Sequence, residues 1–125
     1  MFSNPAHAYE QAAKATASNR ELEAAALFKA ARILEACRLG WDAPDIDQRL
    51  EQALRNNQRL WTLFQSELMA DNHPLPDELR TNVLKLSAFV DQRTFEILAA
   101  PDRDKLQALI QINRHIAAGL SGSAA

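Results

Sequence analysis

Three histidines, one cysteine and two close pairs of aspartates are the residues of this chain whose types suggest chemistry. A zinc or copper site needs histidines or cysteines at short, regular spacing. His7, His73 and His115 lie far apart, and none has a second ligand at such a spacing. A cysteine nucleophile needs a positioned base. Cys37 sits on a helical stripe with no such motif, where a small buried hydrophobe is the simpler reading. Asp42 with Asp45, and Asp102 with Asp104, stand where helices start. Capping and the helix dipole account for both pairs. There is no glycine-rich phosphate loop and no dinucleotide fingerprint. The sequence therefore reads as that of a protein that is not an enzyme, with no catalytic residue, cofactor or metal.

The unusual residue is an amide. In "ALRNNQRLWTLF", residues 53 to 64, the apolar positions recur at helical spacing, yet Asn57 shares their face one turn before Leu60 and Trp61. Burying an amide without partners costs roughly 1–3 kcal/mol. Asn57 must then bond a loop backbone or sit at an edge where water or a partner satisfies it. The "NHPLP" loop is the expected acceptor, since its prolines make no helix and leave carbonyls in need of donors. Trp61 reads either as packed core or as a partly exposed anchor at the mouth of a groove, where tryptophan dominates binding energy.

The elements that must position these residues are helical. The chain has 125 residues, enough for one domain, 1–125, with a core of its own. Hydrophobic residues make up 47% and charged residues 24%, and only three glycines and one tyrosine occur, a balance that favours helix over sheet. Formal net charge is −2, without a run of Lys or Arg, so direct nucleic-acid contact is not expected. The stretch 49–59 does hold Arg49, Arg55 and Arg59, but Glu51 and neutral residues separate them. The start "MFSNPAHAYEQ" lacks the pattern of a signal peptide, no window is apolar enough for membrane insertion, and a lone cysteine fits a reducing cytoplasm.

The periodicity predicts an all-α fold, a compact bundle of about five helices. The first spans about 5–16, with Pro5 in its first turn. The second spans 19–39. Ser18 and Glu21 form its capping box, Leu22, Ala26, Leu27, Ala30, Ile33, Leu34 and Cys37 its stripe, and Gly40 a left-handed cap. Its many alanines would let another helix approach closely, either an internal neighbour or a partner's amphipathic helix. The third begins at the Asp45/Gln48 capping pattern and carries Ile46, Leu50, Ala53, Leu54, Asn57, Leu60, Trp61, Phe64 and Leu68. "DNHPLPDE" breaks the chain. The fourth presents Leu79, Val83, Leu86, Val90, Arg93 or Thr94, Ile97 and Leu98, and Pro101 closes it. The fifth, in "PDRDKLQALIQINRHIAAGL", aligns Leu106, Leu109, Ile110, Asn113, Ile116 and Ala117, and "SGSAA" is expected to fray.

The segment "NQRLWTLFQSELMADNHPLPDELRTNVLKLSAFVDQRTFEIL", beginning at Asn57, resembles the FlaF family of bacterial flagellar biosynthesis regulators. The shared features are an asparagine three residues before a Leu-Trp pair, then Leu-Pro ahead of an acidic residue and "LR". "LSAFV", a Thr-x-x-Ile-Leu end and Ala8-Tyr9 also fit. The resemblance implies a small helical protein of the cytoplasm, required for flagellin production and export. It would work alongside the translation regulator FlbT, as a secretion-chaperone-like factor on flagellin. Flagellin termini are amphipathic, disordered in the monomer and helical in the filament, so an apolar groove would suit them. Flagellin is then the expected partner, with FlbT and the flagellar export apparatus as further ones. The competing reading is post-transcriptional control through FlbT or flagellin mRNA. Chemistry, not a family motif, places Asn57, Leu60, Trp61, Leu75 and Arg80 at the partner-binding site, bordered by the alanine face of helix two.

Overall fold

The computed structural model describes residues 5–68 and 76–122, with side chains from residue 19 onward except Leu68 and Leu79. Among the described residues four α-helices follow one another: α1 (Pro5–Leu39), α2 (Ile46–Leu68), α3 (Asp77–Ala99) and α4 (Leu106–Leu120), the last entered through a 3₁₀ turn at Arg103–Lys105. The all-α class holds, and the expected fifth helix does not. The two N-terminal helices are one helix of 35 residues. Ser18 lies within it, not at a helix start. A capping box needs a chain that enters from outside helical geometry. "AKATASNRE" has neither proline nor glycine to force such an entry, and its alanines favour continuation.

The buried face of α1 also differs from the expected one. Ala24, Leu27, Ala31, Leu34 and Cys37 are inside, while Leu22 and Ile33 are exposed. The two inward alanines leave room for a neighbouring backbone, and α1 packs most extensively on α4, then on α2. The helix stops at Leu39 without a left-handed glycine, since Gly122 is the only described residue with positive φ. Instead Gly40 N–H donates to the Ala36 carbonyl at 2.9 Å. A Cβ on Gly40 would stand 3.2 Å from that oxygen, so space favours glycine there. Two further turns, Ala43 N–H to Gly40 O and Ile46 N–H to Ala43 O, carry the chain into α2.

The stripe of α2 is buried as its periodicity predicts: Leu50, Ala53, Leu54, Asn57, Trp61 and Phe64 are inside, with Ile46 and Leu60 half-buried. Residues 69–75, most of the proline break, lie outside the described residues. Pro76 is extended (φ −56°, ψ 148°), and α3 starts directly after it with Asp77 and Glu78 at its positive end. Ser87, Val90, Thr94 and Ile97 form its buried face. Thr94 takes the position left open between it and Arg93. Its hydroxyl donates to the Val90 carbonyl at 2.7 Å, and Arg93 lies over the Phe89 ring at 5.1 Å. After Pro101, Asp102 Oδ1 accepts the Asp104 N–H at 3.0 Å, the capping role its position suggests. In α4, Leu106, Leu109, Ile110, Asn113 and Ala117 are buried. Fully burying each large apolar side chain of this core contributes about 1.5–3 kcal/mol.

The order of packing is α4 on α1, α1 on α2 and α2 on α3, with α3 only lightly against α4. The backbones of α2 and α4 stay further apart, and long side chains cross the space between them.

Candidate functional site: a buried amide ladder beneath an apolar groove

Trp61, Asn113 and Asn57 make that crossing. All three are fully buried. Trp61 Nε1–H donates to Asn113 Oδ1 at 2.9 Å, and Asn113 Nδ2–H donates to Asn57 Oδ1 at 2.7 Å. An indole nitrogen only donates. Asn113 must therefore turn its oxygen to Trp61 and its NH₂ to Asn57, which must answer with its own oxygen. The ladder ends on Asn57 Nδ2, buried with no acceptor among the described residues. The Trp61 ring packs on Phe64 with centroids 5.8 Å apart and planes 51° from parallel.

The loop expected as the Asn57 partner lies almost wholly outside the described residues; among these, the Asn57 oxygen reaches α4, because Asn113 arrives there with an NH₂ to donate. Of the two readings of Trp61, packed core is the one observed, since its exposure is 0%. Its ring backs Phe64. Leu60 is half-buried and does reach the surface. Leu75 lies outside the described residues. Arg80 is half-buried and 3.6 Å from the exposed carboxylate of Asp77 in the first turn of α3, an ion pair worth little in solvent. The described four thus divide between core (Asn57, Trp61) and partly exposed positions (Leu60, Arg80).

Leu60 belongs to a groove between α1 and α2. Leu22, Glu23 and Ala26 of α1 and Leu60, Leu63, Phe64 and Glu67 of α2 line a cleft of about 190 Å³. Its lips are Leu22, 66% exposed, and Leu63, 60% exposed. At one end Glu23 meets Glu67 from the facing helix. Partial burial, a hydrogen bond to Glu67 and repulsion from its charge push the Glu23 carboxyl up to about 7, against a smaller opposing pull from Arg20. The Glu23 carboxyl therefore keeps its proton well above the usual carboxylate range. The signal that could have found Leu63 was its place off the α2 stripe, whereas Leu22 read as part of the buried stripe of α1 and gave no such signal. The meeting of Glu23 with Glu67, on different helices, leaves no local signature.

The remaining candidates have local explanations. Cys37 is buried, and burial pushes its thiol up, away from a reactive thiolate. His115 is exposed, and His7 and His73 lie outside the described side chains. Among the described residues no group of three or more His, Cys, Asp and Glu is placed to hold a metal ion. No described helix is long and apolar enough to cross a membrane. On the outer face of α2, Arg49, Arg55 and Arg59 share a shallow depression with Asp45 and Glu51, and Arg49 stands 3.8 Å from Asp45. Interleaved carboxylates make that a poor phosphate track.

Among known proteins, the family model described as "Flagellar protein FlaF" matches residues 5–120. No curated protein and no solved structure matches the chain.

Proposed function

The chain belongs to the FlaF family of flagellar proteins, and from that premise we propose that it is a non-enzymatic regulator of flagellar biosynthesis that binds flagellin in the cytoplasm. It acts as a secretion-chaperone-like factor, covering an amphipathic flagellin terminus before export. The observation that carries the reading is the open apolar groove between α1 and α2, with two leucines held in solvent over a rigid aromatic floor. Scattered surface leucines need no explanation, but a pair facing each other across a cleft fits a partner's helix. Control of flagellin levels follows from such binding, because a bound monomer is withdrawn from assembly and from any feedback on its own synthesis.

Titration calorimetry with monomeric flagellin, full-length and lacking each terminus, tests the proposal. Saturable binding that disappears with one truncation is the expected result. Absence of heat at tens of micromolar, with both partners folded, would instead favour action through FlbT or the export apparatus.

A further inference from the structure

We infer that the groove between α1 and the C-terminal half of α2 seats the partner's amphipathic helix, and that the Glu23–Glu67 pair at its end takes a lysine or arginine of that helix. This rests on the reading that the chain binds a helical segment of flagellin.

Shape gives the first argument. The groove has apolar walls, Leu22 and Leu60 among them, and Ala26 as its small residue, which lets an incoming helix lie close. Its lining runs along two turns of α2, from Leu60 to Glu67, and along one turn of α1, so the cleft is a strip between two helices, a shape that suits an elongated helix better than a compact ligand. Glu23 and Glu67 both line it, Glu67 at the next-to-last residue of α2.

Charge gives the second argument. Two carboxyls from facing helices meet at the end of an otherwise apolar cleft. The groups that act on Glu23 are Glu67 across the crossing and Arg20 one turn back on α1. Arg20 opposes the strain without removing it. An additional cation seated between the carboxyls would take the place of the Glu23 proton, a charge-assisted arrangement stronger than the neutral one. Binding is therefore linked to proton release, and affinity rises as pH rises through neutrality.

The test is calorimetry of the full chain with monomeric flagellin at pH 6.5, in two buffers of different ionisation enthalpy. Wild type is compared with L22S/L63S and with E23Q/E67Q. The serine pair alters two exposed side chains, so an unchanged melting temperature confirms its fold. Expected are a loss of affinity of at least tenfold for the serine pair and a several-fold loss for the glutamine pair. Wild type should also show a buffer-dependent heat, reporting released protons, that the glutamine pair lacks. If wild type binds and the serine pair binds as tightly, the groove is not the seat, although the function proposed above stands. If the serine pair fails but E23Q/E67Q keeps both affinity and buffer dependence, the carboxyl pair takes no cation. If wild type does not bind at all, both the function and its placement fall. Self-association by light scattering that the serine pair abolishes would make a second copy the occupant, and would overturn the assignment.

Discussion

Trp61 has one polar atom, a donor, and that proton sets the orientation of two asparagines. Replacing Asn113 with leucine keeps the volume but strands the Trp61 N–H and the Asn57 carbonyl together. Each buried orphan costs about 1–3 kcal/mol, so Asn113→Leu should destabilise by roughly 2–5 kcal/mol, read as a lower urea midpoint at unchanged slope. Asn57→Leu should be milder, since it removes one acceptor and an NH₂ that has no described partner. Glu23 makes a second prediction, in pH. Its carboxyl is raised to about 7 in the folded chain, against an ordinary value of 4.5. Between those values the folded state binds the extra proton, so stability is greatest on the acid side and declines as pH rises from 4.5 to 7. Melting temperatures across that range should fall in wild type, and Glu23→Gln should remove this component of the slope. The amide on the apolar face was legible in the sequence as an anomaly. Its partner was not, because Asn113 lies two helices away and no local pattern couples the pair.

At the scale of elements, the third, fourth and fifth expected helices stand almost where periodicity put them. Each has a single apolar stripe bounded by proline or by aspartate caps. The N-terminal region is where the reading broke down. Ser18 and Glu21 have the types and spacing of a capping box, but the same letters occur inside a continuous helix, and alanine-rich flanks let continuation win. A substitution separates the two cases. An N-cap serine changed to alanine loses about 1 kcal/mol, whereas an interior serine changed to alanine gains roughly 0.5 kcal/mol in helix propensity. Ser18→Ala should therefore raise the melting temperature slightly; a clear drop would restore the break. The same alanine richness blurred the register of α1. With alanine on every face, the stripe could be drawn through Ala26 and Ala30 or through Ala24 and Ala31. Only packing against α4 and α2 selects the second, and it leaves Leu22 in solvent at the lip of the groove.

For the molecule as a whole, α1 makes the two most extensive helix pairings, with α4 and with α2. Leu109 of α4 is fully buried in the shared core. Leu109→Ala should cost about 2–5 kcal/mol by the cavity it leaves, measured by chemical denaturation. The groove variants L22S/L63S should leave the same transition unmoved, so stability and partner binding fall on different residues. The pairing of α1 with α4 also has a kinetic side. The largest interface joins two helices separated by all of α2 and α3, so it cannot form until a long intervening stretch of chain has been closed. Neighbouring α1 and α2 can meet sooner, through a short connection, and would then present the Trp61 indole with no amide to receive its proton. Arrival of α4 supplies that amide, and only in the register that brings Asn113 opposite Trp61. A docking shifted by one turn offers Ile110 or Ala117 in its place, neither of which has a side-chain acceptor for the indole N–H, so the ladder favours the native register.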